Sequence, residues 1–293
     1  MSNTPITEET PRSRTDRLRE VVSVPSWVTV HVPLFVLVTL FMSPVLLAIL
    51  MSTQSAVEIY QVLNLMPGTQ GVENYVTVLT EYNFLTYIPN TLAMASIIVA
   101  GEVTFSLMAA LALVYYDFPY KNIAFMIILL TLMLPFPVRI VPLYNLVINL
   151  GWGNSLLGLS GPYVASATSV FLFRQHFRSV PDSILETAKL DGIHPIKFLV
   201  YVLIPMSKGI IAGVIVINFI SAWNKYLWPL IIVSDREKQV IQVGINYIQG
   251  TADSGLTQWG LIMSGSVIAL IPPLVILIIF HRPIVRTLGV QVN

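Results

Sequence analysis

Glu102, Arg139 and Lys225 are ionisable residues inside or beside stretches that are otherwise apolar. A charge in such surroundings is costly unless it is paired, neutralised by a proton or hydrated, so each is a candidate for binding chemistry. Glu102 either serves a bound solute or pairs with Arg139 or Lys225. Arg139 sits among Pro135, Pro137 and Pro142, which no regular helix accommodates together. A helix broken there exposes backbone groups to a cavity, where Arg139 holds an anionic solute, pairs with an acid or extends to the membrane surface. Asn218, Ser221 and Lys225 recur at i, i+3 and i+7, which predicts one helical face. That face lines a solute path, or it serves helix–helix hydrogen bonds while Lys225 reaches the outer interface.

Other chemistry is excluded. The chain has no cysteine, which removes thiol catalysis and disulfides. His31, His176, His194 and His281 stand alone, and His194 reads as a loop or capping residue rather than a metal ligand. Neither a His-Glu-x-x-His pair nor a Gly-x-x-x-x-Gly-Lys-Ser/Thr phosphate loop occurs, so no cofactor is expected on this chain. A formal charge of +1 argues against a nucleic-acid partner.

The elements that position these residues are membrane helices. With 55% apolar residues, 11% charged and a mean hydropathy of +0.76, the 293 residues carry more apolar surface than one water-soluble core can hide. Several uncharged runs reach the roughly 20 residues that a helix needs to cross lipid, which predicts an all-α polytopic fold rather than a barrel. Six spans are expected, at 27–51, 90–115, 122–145, 157–173, 209–233 and 259–280. With the amino terminus inside, twelve of the 16 Lys and Arg fall on the cytoplasmic side, Arg12, Arg14, Arg17 and Arg19 among them, which places both termini in the cytoplasm. Counted from Lys208 at about 1.5 Å per residue, Asn218 then lies about 15 Å deep and Lys225 about 25 Å. The segment from Ser52 to Pro89 should be a structured outer loop, turned at Pro67-Gly68 and Gly71. The organisation is a cytoplasmic tail (1–26), a first span with outer loop (27–71), a membrane core (72–286) and a carboxy-terminal tail (287–293).

The polar stretch between the fourth and fifth spans reads as a pair of short helices. Ser179 can cap the first, Pro181 suits its opening turn, and Asp182 suits the positive end of its dipole. Gly192 can take the left-handed conformation that ends it, Pro195 can begin a second, and Pro205 marks the next break.

Glu186-Thr187-Ala188-Lys189-Leu190-Asp191-Gly192, followed by Val202, Ile204 and Pro205, resembles the Glu-Ala-Ala docking loop of ABC-importer permeases. Thr187 replaces the usual second small residue. Phe171-Leu172-Phe173-Arg174-Gln175-His176-Phe177 and the Trp223-Asn224…Trp228-Pro229 segment resemble the type I, MalG-like carbohydrate group, and residues 131–142 are similar to its glycerol-3-phosphate permeases. The resemblance implies a second permease subunit, two ATPase subunits that use the ATP, an external solute-binding protein and an inner-membrane location. It assigns ATPase coupling to Glu186, Ala188, Asp191, Gly192 and Pro205. The solute-path candidates remain Glu102, Arg139, Asn218, Ser221 and Lys225. A self-sufficient secondary transporter is the alternative, but it leaves the docking loop without a role.

Overall fold

The computed structural model describes residues 26–60, 65–250 and 257–287. The four amino-terminal arginines, the side chain of Arg286 and the tail beyond residue 287 lie outside the described residues. The chain divides into a unit ending at Leu47 and a larger one beginning at Ala48.

Most of α1 (Ser26–Met51) forms the first unit. It contains no Asp, Glu, Lys or Arg, and its apolar side chains point outward all round, with Phe35 72% and Phe41 74% exposed. A helix apolar on every face is at home in lipid.

In the larger unit, α2 (Ala56–Ile59) opens with a reciprocal cap. Ser55 Oγ accepts from the Glu58 amide at 3.2 Å, and the Ser55 amide donates to Glu58 Oε2 at 2.7 Å. The expected turn at Gly68 is tied down by its amide, which donates to Thr53 Oγ1 at 2.8 Å. Asn74 of α3 (Gly71–Thr80) donates to the Ser52 and Gln54 carbonyls, each at 3.0 Å. The loop is therefore structured, but it is shorter than expected, because α4 (Phe84–Tyr115) starts before residue 90. Asn90, which marked the boundary in the sequence, lies inside the helix and donates to the carbonyls of Glu237 (2.7 Å) and Gln239 (3.1 Å).

The third span is broken, as its prolines require. α5 (Lys121–Leu130) continues through a tight turn at Thr131–Met133, and α6 (Phe136–Asn149) leaves at a bend of 103°. The fourth and fifth spans are also interrupted, which their apolar runs did not signal. α7 (Leu156–Ser160) and its terminal turn Gly161–Tyr163 bend by 43° into α8 (Ala167–Phe177). The polar loop then holds α9 (Asp182–Leu190), α10 (Pro195–Phe198), a widened turn at Leu199–Leu203 and α11 (Ile204–Met206). α12 (Lys208–Trp223) departs at 86° and stops ten residues short of the expected end, with α13 (Leu227–Ile232) following as a separate piece. After α14 (Ile241–Gly250), α15 (Trp259–Thr287) continues without interruption through Pro272 and Pro273. Among the described residues, three continuous spans and three bent ones, each bent pair counted as one, give the six crossings expected.

Two cores hold the larger unit. In one, Phe84, Tyr87, Met94, Trp223, Trp228 and Ile241 are buried where α4 and α12 meet α13, α14 and α15. In the other, Phe173, Phe177, Phe198 and Leu203 fasten the polar loop beneath α4 and α8. The tryptophans of the Trp-Asn…Trp-Pro segment are structural anchors. Trp223 Nε1 donates to the Ala269 carbonyl at 2.9 Å, and Trp228 Nε1 to the Gly158 carbonyl at 3.0 Å. Satisfying an indole N–H inside an apolar core makes each position specific as well as well packed.

Candidate functional site

The breaks at residues 134–135 and 164–166 and the gap between α12 and α13 at 224–226 bring the charged residues together. Tyr163, at the end of the α7 turn, packs against Phe136 (ring centroids 6.3 Å apart) and Trp228 (6.1 Å). Lys225 Nζ sits 3.7 Å from the centroid of the Tyr163 ring, so its charge is held by an aromatic face rather than by a carboxylate. Glu102 and Arg139 are both near enough for their charges to act on Lys225. Among the described residues, neither forms an ion pair within 4.0 Å. Glu102 leaves Oε2 buried without a hydrogen-bond partner, while Arg139 is exposed in the first turn of α6.

Gly101 explains how Glu102 gets there. A Cβ at Gly101 would lie 2.6 Å from Val164 Cβ, so only glycine lets α4 approach the 164–166 break this closely. The assembly is two cations, one carboxylate and an aromatic ring beside interrupted backbone. It carries net positive charge and offers donors to a small anion or polar solute.

The remaining path candidates divide. Asn218 is buried and donates to Ser169 Oγ at 2.8 Å, which joins α12 to α8. Ser221 is exposed on α12. Lys225 does not continue their row, because the helix ends at Trp223 and Asn224 leaves helical geometry at φ −86°, ψ 8°. The i+7 spacing fails because Trp223 and Trp228 are anchored to different elements, α15 and α7, and the chain between them must turn. Gly213 on α12 faces open space within this chain. Tyr163 and Ser169 were missed by sequence reasoning. The signal for Tyr163 was the preceding Gly161-Pro162, a turn inside an apolar run.

The polar loop largely follows its local chemistry. Gly192 takes φ +65°; its amide donates to the Lys189 carbonyl at 3.1 Å and the Ile193 amide to the Ala188 carbonyl at 3.0 Å, the paired bonds that close a helix end through a left-handed residue. His194 caps α10, its Nδ1 accepting from the Ile196 amide at 3.3 Å, and Pro195 opens that helix. No group of three metal-binding side chains occurs among the described residues.

Two expectations change. Ser179 does not cap α9; its hydroxyl donates to the His176 carbonyl at 2.6 Å and so closes the end of α8, leaving Pro181 at the cap position. Pro205 does not break the chain either. It lies within α11 after a turn widened so that the Ile204 amide reaches the Leu199 carbonyl, which relieves the clash between the proline ring and the carbonyl four residues earlier. The bend comes at Ser207 (φ −101°, ψ 12°). Ala188 is buried in the second core, whereas Glu186, Asp191 and Gly192 face outward beside Leu190, which is 88% exposed.

Six candidate crossings among the described residues, broken spans around a charge cluster and a polar helical loop define a polytopic membrane transport subunit. The chain belongs to the family described as binding-protein-dependent transport system inner membrane component, whose profile matches residues 102–289. It is thus a multi-pass inner-membrane permease of the ABC-importer class. It is 37% identical over 265 residues to the sn-glycerol-3-phosphate transport system permease protein UgpE of Salmonella typhi, covering 88% of this chain and 94% of that protein. The UgpE protein of Escherichia coli O1:K1 is 36% identical over 271 residues, covering 89% and 96% respectively. The fold matches a chain of a bacterial ABC transporter involved in the import of the acidic polysaccharide alginate, with a TM-score of 0.75, 21% identity and coverage of 94% of this chain and 99% of that one.

Proposed function

We infer that this permease carries a small anionic solute of the glycerol-3-phosphate class, delivered by an external binding protein and driven by ATP hydrolysis on partner subunits. The observation that carries the solute reading is the pairing of Arg139 and Lys225 around Tyr163 at the span breaks. The names of relatives 36–37% identical over most of the chain agree with it.

In this reading a second permease completes the path, both termini face the cytoplasm, and two ATPases grip α9 through Glu186, Asp191 and the surface around Gly192. Ala188 and Pro205 hold that element to the core. Closure of the ATPases on ATP displaces α9 to α11, and the bend at Ser207 passes the movement into α12. Asn218 carries it on to α8, while Lys225 shifts relative to Tyr163 and Glu102. Solute released from the binding protein meets the cations in the outward state and loses them when the breaks rearrange.

The test is uptake of radiolabelled sn-glycerol-3-phosphate and of a neutral sugar by membranes containing the assembled transporter. Arg139→Gln should raise the apparent uptake constant for the anion while co-purification with the ATPases is retained. If anionic uptake is unchanged across concentration, the anion-binding role of Arg139 is wrong.

A further inference from the structure

Away from the path, Lys121, Arg174 and Arg178 converge on a cavity of about 480 Å³, whose polar rim is completed by Asn122 and Asp182. Lys121 is committed: its Nζ donates to the carbonyls of Val114 (3.4 Å) and Tyr116 (2.9 Å) and to Asp117 Oδ1 (3.3 Å). The arginines are not. The Arg174 guanidinium carbon lies 4.0 Å from the centroid of the Phe125 ring, and its Nε is buried with no acceptor. Arg178 is exposed and near enough for its charge to act on Arg174. Among the described residues, neither arginine has a carboxylate within 4.0 Å. Two neighbouring guanidiniums, one of them stacked and short of an acceptor, suit the oxygens of a phosphate group.

The surroundings select the source. The cavity lies where α5 begins and α8 ends, and Ile123, Met126 and Ile127 are exposed on the adjoining face of α5. Acyl chains can lie along that face below a headgroup in the cavity, whereas free phosphate makes no use of it. Asp182 disfavours a bare dianion and accepts from a hydroxyl or ammonium group. With the orientation inferred above, this end of the spans lies at the inner leaflet, where basic pockets between helices meet lipid headgroups.

We propose that the cavity binds the phosphodiester headgroup of an inner-leaflet phospholipid, with Arg174 and Arg178 on the phosphate oxygens and Asp182 on a headgroup donor. Asp182 is also the first residue of α9, so the lipid touches the element that transmits the ATPase movement.

The experiment titrates the purified full-length chain with phosphatidylglycerol or phosphatidylcholine and reads bound lipid by native mass spectrometry. Wild-type protein should prefer phosphatidylglycerol, and Arg174→Gln and Arg178→Gln should each weaken its binding about tenfold. Arg236→Gln, at the opposite end, should leave it unchanged. Exposed Arg178→Gln decides alone if Arg174→Gln does not fold. Equal binding by wild type and Arg178→Gln, or an equal loss in Arg236→Gln, overturns the proposal. Displacement of the lipid by inorganic phosphate at matched concentration also overturns it, by assigning the cavity to the free ion. The measurement needs neither solute nor ATPase, so its failure is distinct from failure of the transport reading.

Discussion

Replacing Gly192 by alanine isolates the backbone contribution of the α9 end from every side-chain contact. An added Cβ there meets no atom within 4 Å, so there is no steric term against the rest of the protein. What remains is φ +65°, a conformation that costs an L-residue with a Cβ about 1–2 kcal/mol. That energy shifts the closed turn toward a frayed one by about 5- to 30-fold in population. The damage is local: the Ile193 to Ala188 and Gly192 to Lys189 bonds loosen, while the second core is untouched. Gly192→Ala should therefore lower the melting temperature in detergent by no more than about 2–8 °C, yet lower ATPase co-purification and uptake severalfold. Gly192→Asn should recover most of the loss, because asparagine tolerates the left-handed region. Equal activity of Gly192→Ala and wild type, or no difference between the alanine and asparagine variants, would refute the claim that this turn sets the coupling geometry.

Gly101→Ala should push α4 off the 164–166 break at a cost of about 1–3 kcal/mol, seen as a lower melting temperature; adding Val164→Ala should restore part of it, and a neutral Gly101→Ala would show that the close approach is dispensable. Single cysteines are informative because the native chain has none: Ser221→Cys should react with a water-soluble thiol reagent in the assembled transporter at rest, and Asn218→Cys should not, unless ATP turnover opens the α8–α12 contact. Tyr163→Phe should keep the cation held on the ring and leave uptake near wild type, whereas Tyr163→Leu should lose about 0.5–2 kcal/mol of that interaction and raise the apparent uptake constant; equal uptake by both would remove the ring from the site.

What the chain discloses depends on how far apart the causes lie. The left-handed turn at Gly192, the cap at His194 and the opening at Pro195 were legible because each is settled within a few residues. The third-span break was legible for the same reason, since Pro135 and Pro137 forbid a straight helix locally. The break in the fourth span had a local sign in Gly161-Pro162 that went unread, whereas the one at 224–226 was hidden because it is imposed from a distance: Trp228 reaches Gly158, Trp223 reaches Ala269, and Lys225 reaches Tyr163. An apolar run looks the same whether or not such anchors bend it. Asn90 misled for a related reason, as a polar residue can sit inside a span once distant carbonyls receive it. The charged members of the site were visible because lipid makes charges conspicuous. The ring that gathers them was not, because a tyrosine among apolar residues attracts no notice.

The elbow at Ser207 has a mechanical consequence. One residue joins α11 to α12 at 86°, and α12 spans 16 residues, which at 1.5 Å each makes an arm about 24 Å long. On an arm of that length, a swing of about 10° at the elbow carries the far end sideways by about 4 Å. That stroke matches the 3.7 Å separating Lys225 from the Tyr163 ring. A small rotation at one membrane face is thus geared up into a displacement large enough to lift a cation off its seat near the other.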